Sequence, residues 1–398
     1  MDAFTDLNIA TRLAQMEPTR QAFFAKNKSE LEHLLLQKKG IEKKSIEQLL
    51  LRLQIKDKLP LWYQSQKIYY PPSIHLQQAS SWITAQYKAS LFQGTSFIDL
   101  TLGMGIDTCA LLQKAHKAIV IEPNIDLLKT TQHNLQVFYP DKELKFVHAS
   151  ADTFLKQHKE SVDLIYVDPS RRNEKGQKTV FLNDYDPQIA VLLEDLFSIS
   201  KRILVKTSPM LDISQAMSEL SHVSEVHVVA IENECKEVLY VLQKNAQHTK
   251  IKTIHFIKDK EQVFESSKQL EHELKLSYSM PQQFLYEPNS AILKAGLFKS
   301  IAPQWALHKL HQHTHLYTSD HRWDDFPGRI FKIKAVCKAN KKDLLHFIPE
   351  ARANLCIRNF PSDIQTLKKK LGIQDGGKQY LFACTLHTQE KVILVCEK

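Results

Sequence analysis

Glycine is scarce in this chain, at 10 of 398 residues, so a place where two fall close together carries information. Cysteine is scarce too. The six present, Cys109, Cys235, Cys337, Cys356, Cys384 and Cys396, form no C-x-x-C pair and no closely spaced framework. That excludes a small disulfide-framed secreted domain and predicts free thiols in a reducing compartment. No run approaches the roughly 18 apolar residues of a membrane-spanning helix. The opening Met1-Asp2-Ala3-Phe4-Thr5-Asp6 has neither a basic stretch nor an apolar core, so no signal peptide and no membrane contact are expected, and the cytoplasm is the predicted location. What remains, 43% hydrophobic and 24% charged, is an ordinary globular composition, long enough for two or three domains.

The two informative glycines are Gly103 and Gly105, which follow the apolar run Phe97-Ile98-Asp99-Leu100. Without Cβ atoms, they let a backbone turn sharply and approach a ligand. The same pattern recurs along the chain, as a short apolar run with an acidic residue at its end, then a helical stretch. Ile119-Val120-Ile121 ends in Glu122, the stretch His148 to Ala151 leads to Asp152, and Leu164-Ile165-Tyr166-Val167 ends in Asp168-Pro169-Ser170-Arg171-Arg172. Such βα alternation predicts an open parallel sheet with its ligand at the carboxyl ends of the strands. Glu122 is placed to accept from two ribose hydroxyls, Asp152 from an adenine amino group, and Asp168 faces the space where a second substrate would lie. Any one of these carboxylates could instead be a helix cap, but the series points to a nucleoside ligand. A dinucleotide dehydrogenase competes for the reading. Its G-x-G-x-x-G fingerprint, however, would need glycine where Thr108 stands, and it has no use for the Asp168 motif.

Asp99-x-x-x-Gly103-x-Gly105, Glu122, Asp152 and Asp168-Pro169 resemble the successive motifs of class I S-adenosylmethionine-dependent methyltransferases, over about residues 90–245. The resemblance implies a Rossmann-like seven-stranded α/β sheet and S-adenosylmethionine as cofactor. It implies that Asp99, Gly103 and Gly105, with Thr101 and Asp107 of the same turn, hold the methionine end. Glu122 would hold the ribose and Asp152 the adenine, while Asp168 would border the methyl acceptor. Two departures stand out. Thr101 occupies a position where many members have glycine, and Asp-Pro-Ser-Arg replaces the Asp-Pro-Pro-Tyr of amino-group methylases. The second removes the aromatic platform for a flipped base.

Charge divides unevenly. Residues 326–398 hold 14 Lys and Arg against 6 Asp and Glu, and residues 1–90 hold 13 against 8. Basic flanks around a mildly acidic middle suit a polyanion such as RNA, although a solvated lysine-rich surface would look the same. Residues 1–92 read as helical. Ser29-x-x-Glu32 and Ser45-x-x-Gln48 form capping boxes, and one further helix is expected over about Leu76 to Phe92. Ser80, Ser81, Thr84, Tyr87 and Lys88 of that helix either line the pocket entrance or cover the sheet edge. The long polar stretch after Asp168 reads as an acceptor-side loop, in which Arg171 and Arg172 would position phosphate. The runs 226–231 and 238–242 read as a closing hairpin. The four histidines of residues 308–315 lack ligand-spaced partners, so no metal is expected.

Further along, Arg329-Ile330-Phe331-Lys332-Ile333-Lys334 is an alternating basic strand. Together with Lys341, Lys342, Arg358, Lys368 and Lys369 near Phe360 and Tyr380, it suits RNA. Glu287-Pro288-Asn289, Arg358-Asn359-Phe360-Pro361 and Asp375-Gly376-Gly377 add a resemblance, over about 280–398, to a bacterial methyltransferase family with ferredoxin-like and THUMP-like domains. THUMP domains in general bind structured RNA, tRNA especially. The expected domains are a helical region (1–92), a methyltransferase domain (93–248), a ferredoxin-like α+β domain (249–325) and a THUMP-like basic domain (326–398). The expected function is methyl transfer to RNA, foremost tRNA, with Asp168, Pro169, Arg171 and Arg172 at the reacting end. A small-molecule or protein methyltransferase, or a catalytically silent RNA-binding protein, are the rivals. The sequence leaves the oligomeric state open.

Overall fold

The computed structural model describes residue 33 and residues 40–171 and 181–398, so the capping box Ser29-x-x-Glu32 lies outside the described residues. The chain divides into two units. One comprises Met1–Thr207, Ser214–His222 and Val241–Ala246; the other comprises Ser208–Ile213, Val223–Tyr240 and Gln247–Lys398.

In the first unit the apolar runs become parallel strands β1 (Ser96–Asp99), β2 (Lys117–Ile121), β3 (Glu143–Val147) and β4 (Leu164–Val167). After them come the short ribbon β5 (Ser170–Arg171) with β6 (Tyr185–Asp186), and then β7 (Arg202–Thr207). The order β3-β2-β1-β4-β7 is parallel throughout. The central strands are apolar on both faces because helices cover them, and Phe97, Ile98, Val120 and Ile165 are all fully buried. The chain runs outward from β1 through β2 to β3, then returns to lay β4 on the other side of β1. That reversal is a topological switch point, where the loops after β1 and β4 diverge and open a crevice.

The described part of the N-terminal region braces this sheet. Gln48 brackets the Tyr70 backbone with two hydrogen bonds of 2.8 Å. Asn134, on the helix Ile125–Phe138, does the same for Tyr69 at 2.7 and 2.8 Å. Trp62 is buried with its ring 5.7 Å from Phe138. Two local expectations are corrected. Ser45 lies inside the helix Gly40–Gln54 and not at its start. The single helix expected over 76–92 is two, Ser73–Gln78 and Trp82–Ser90. Extended backbone at Ala79 and Ser81 parts them, and the Ser81 hydroxyl caps the second by accepting from Thr84 N–H.

In the second unit, β8 (Val223–Ile231) and β9 (Glu234–Gln243) form the expected hairpin, with Glu232 and Asn233 at positive φ in its turn. The β8 edge is further extended by β10 (Lys250–Ile257), parallel to it, and then by antiparallel β11 (Lys260–Ser267).

A second sheet follows, built from β12 (Phe284–Pro288), β13 (His308–Lys309), β14 (Tyr317–Ser319), β15 (Gly328–Lys338), β16 (Asn354–Arg358), β17 (Gln379–Thr385) and β18 (Lys391–Glu397). Its order is β13-β14-β12-β15-β18-β17-β16. Separate apolar clusters pack around Leu344, Leu367 and Ile393 and around Phe331, Phe382 and Leu394. No helix among the described residues is long and apolar enough to cross a membrane.

Candidate active site

The crevice at the switch point is a cavity of about 310 Å³ lined by Asp99, Thr101, Gly103, Gly105, Asp107, Glu122, Asp152 and Asp168. Residues from the ends of β1, β2 and β4, and Asp152 from the first turn of the helix Ala151–Gln157 that follows β3, up to 69 positions apart in the chain, thus face one space. His75, Gln78 and Ser80 line it from the N-terminal helices, and Ser170 and Asp186 from the β5–β6 ribbon.

The turn after β1 is built around its carboxylate. Asp99 Oδ1 accepts from Thr101 N–H at 2.9 Å, and Thr108 Oγ1 donates to Oδ2. Burial pushes the Asp99 carboxyl up to about 7. The Thr108 and Thr101 hydrogen bonds work against that rise, and the neighbouring charges of Asp107 and Asp168 add to it. Gly103 and Gly105 both take positive φ, +52° and +72°. A Cβ on Gly105 would sit 2.6 Å from Thr131 Cγ2, so that glycine is required for close packing. At Gly103 the nearest atom would be 3.9 Å away, and the space a side chain would fill belongs to the cavity. Gly103 N–H donates to Glu122 Oε2 and Asn124 N–H to Glu122 Oε1, both at 2.9 Å. Each oxygen keeps a second lone pair, so this orients the carboxylate without using it up.

Beneath the cavity lies a buried charged cluster. Asp107 accepts from Ser80 Oγ at 2.8 Å and from Tyr166 OH at 2.6 Å, and its other oxygen lies 3.1 Å from the ammonium of fully buried Lys88. Burial alone would raise the Asp107 carboxyl. Lys88 and Lys206, with the hydroxyls of Tyr166 and Ser80, outweigh that and hold it below the usual carboxylate range. The hydroxyl of Tyr166 is pushed well above its ordinary value, first by its own burial and then by Asp107. At the far side, Asp168 donates its backbone N–H to Thr101 Oγ1 at 2.7 Å and pairs its carboxylate with Lys206. Thr101, the departure noted in the sequence, therefore ties the ends of β1 and β4 together.

Of the other expected site residues, Pro169 is buried and is not among those lining the cavity, Arg171 contributes its backbone to β5, and Arg172 lies outside the described residues. Lys206 escapes a reading by motif, because the only signal for it is its place at the end of β7, the strand beside β4. Among the basic residues of the second unit, Lys332, Lys341, Lys342 and Lys369 are exposed. Lys334 pairs with Glu397 at 2.9 Å and Lys368 with Asp375 at 2.5 Å. Arg358 joins Arg329 on buried Glu287. In the histidine run, Lys309 is buried and His315 stacks on Phe298 with ring centroids 3.7 Å apart. Among the described residues no group of three potential ligands could hold a metal.

Residues 284–327 match the family model of a ferredoxin-like domain, and residues 328–398 that of a THUMP-like domain. The chain is 20% identical, over 302 residues, to an uncharacterized S-adenosylmethionine-dependent methyltransferase of Mycobacterium tuberculosis, covering 75% of this chain and 80% of that one. The figures are the same for strains CDC 1551 / Oshkosh and ATCC 25618 / H37Rv. It is also similar to a Porphyromonas gingivalis W83 protein of known crystal structure, named provisionally as a methyltransferase. There the identity is 29% and the TM-score 0.84, with all of this chain and 98% of the other covered. The chain therefore carries the S-adenosylmethionine-dependent methyltransferase fold, followed by a ferredoxin-like and a THUMP-like domain.

Proposed function

We propose that this protein transfers a methyl group from S-adenosylmethionine to RNA, with tRNA the first RNA to test. The observation that carries the reading is the single cavity at the switch point, which gathers Asp99, Gly103, Gly105, Glu122, Asp152 and Asp168. The donor set suits this cofactor. Asp99 and the glycine turn would take the methionine end, Glu122 the ribose hydroxyls and Asp152 the adenine amino group. When bound, the cofactor supplies an activated methyl on a sulfonium. This chain's residues supply proximity and orientation. Asp168 orients the acceptor and takes its proton. No cysteine lines the cavity, so a route through a covalent enzyme thiolate has no residue to carry it.

RNA as acceptor rests on three supports. THUMP domains in general bind RNA, the matched segment runs over 328–398, and residues 326–398 hold 14 basic against 6 acidic side chains. The test uses labelled S-adenosylmethionine, the purified protein and total small RNA from a strain lacking it. Label in the tRNA fraction that disappears with Asp168→Ala, while cofactor still binds, is the expected result; Glu122→Ala should instead weaken cofactor binding. Bound cofactor with no labelled RNA would turn the assignment toward a small-molecule or protein acceptor.

A further inference from the structure

We propose that Lys206 is a positioning residue for the transfer, acting through Asp168; the inference rests on the function proposed above. Val167 of β4 and Val205 of β7 are register partners, so Asp168, just past the end of β4, and Lys206, the next-to-last residue of β7, lie side by side. The Lys206 ammonium bonds Asp168 Oδ2, and the lysine side chain is only 12% exposed, against 36% for the carboxylate it holds. A cation that deep needs a fixed partner. The carboxylate gains a fixed place in return, because the Asp168 backbone is also pinned by Thr101 Oγ1 at 2.7 Å. Oδ1 has no hydrogen-bond partner among the described residues and remains for the acceptor.

The surroundings make this pairing necessary. Asp99, Asp107 and Asp186 line the same cavity as Asp168, and Lys88 lies behind Asp107. Lys206 is near enough to Asp107 to help hold that carboxyl low, so Lys88, Asp107, Lys206 and Asp168 alternate in sign from the buried floor to the acceptor edge. Without Lys206, Asp168 would be one of several carboxylates repelling each other around a space that must receive a nucleophile. In the transfer, the acceptor's lone pair forms the new bond to the methyl carbon, and the carbon–sulfur bond breaks with its electrons staying on sulfur. The acceptor's proton passes to Asp168 Oδ1 and then to water. Lys206 exchanges no proton in this scheme; it fixes where the receiving oxygen stands.

The test compares wild type, Lys206→Met, Lys206→Arg, Asp168→Asn and the double variant Asp168→Asn/Lys206→Met. It uses labelled S-adenosylmethionine with small RNA, calorimetric titration of S-adenosylmethionine alone, and thermal melting. Misplacing a reacting group costs roughly 100-fold, so Lys206→Met should lower kcat by about that factor. Its KM and binding for S-adenosylmethionine should stay within about threefold, and Lys206→Arg should recover most of the rate. In the Asp168→Asn background the lysine change should add less than about threefold, the non-additivity of residues acting as one unit. Independent, additive losses, or no recovery with arginine, would overturn the inference. A wild type that methylates no RNA sinks the RNA reading instead. Lys206 is then judged by the other two arms. A double variant melting no lower than Asp168→Asn supports the pair, and a tenfold loss of cofactor affinity in Lys206→Met overturns it.

Discussion

On the site proposed above, Asp99 should make the affinity for S-adenosylmethionine depend on pH, in a direction set by its burial. Burial raises its carboxyl to about 7, so near neutrality the empty site holds a mixture of neutral and ionised Asp99. The methionine end of the cofactor carries an ammonium, which favours the ionised form. Binding must therefore expel the Asp99 proton, and the expulsion becomes harder as pH falls. If only the ionised form binds, apparent affinity scales as 1/(1 + 10^(pKa − pH)). From pH 7.5 down to pH 5.5 that is a loss of about 25-fold, or about 1.9 kcal/mol, for a carboxyl at about 7. The sign for stability is opposite. A raised carboxyl pKa favours the folded state while the group is protonated. The unliganded protein should therefore lose stability as pH rises from the ordinary carboxylate range toward 7. Calorimetry across this range, in two buffers of different ionisation enthalpy, measures both the affinity and the proton released. Asp99→Asn should bind more weakly at neutral pH and show a flat profile. A flat wild-type profile would refute the reasoning, and so would a slope that survives in Asp99→Asn.

Three further outcomes are expected. Gly105→Ala places a Cβ 2.6 Å from Thr131 Cγ2 at a positive φ, and should cost about 1–3 kcal/mol in chemical denaturation; an unchanged midpoint would contradict the packing. Lys88→Met leaves buried Asp107 without its nearest counter-charge and should cost about 3–5 kcal/mol, with Lys88→Met/Asp107→Asn melting above Lys88→Met alone. Replacing exposed Lys332, Lys341, Lys342 and Lys369 by Gln should flatten the salt dependence of RNA affinity, by roughly 0.7–0.9 in log–log slope for each phosphate no longer neutralised. An unchanged slope would place the RNA elsewhere, and the ion-paired Lys334, Lys368 and Arg358 should contribute less than these four.

What was legible in the sequence is what short-range pattern encodes. An apolar run of four or five residues followed by a carboxylate says strand, strand end and ligand side at once, and β1, β2 and β4 lie where those runs fall. Local pattern failed where two signals compete within a few residues. Ser45-x-x-Gln48 has the letters of a capping box, yet residues 40–44 are already helical and the helix simply begins earlier. It failed more deeply for partners set by helix packing or strand register. Lys88 and Asp107 meet across 19 positions and Lys206 and Asp168 across 38. A lysine in an amphipathic helix reads as solvated until the sheet beneath it is built. Thr101 shows how such a gap can mislead. Against the pattern of the methyltransferases it resembles, it stands where many members have glycine. In the fold its hydroxyl accepts the Asp168 backbone N–H, while Lys206 holds the carboxylate of the same residue from the other side. A glycine there would leave Asp168 pinned at one end only. The substitution that weakens the sequence match thus supplies one of the two contacts that hold Asp168.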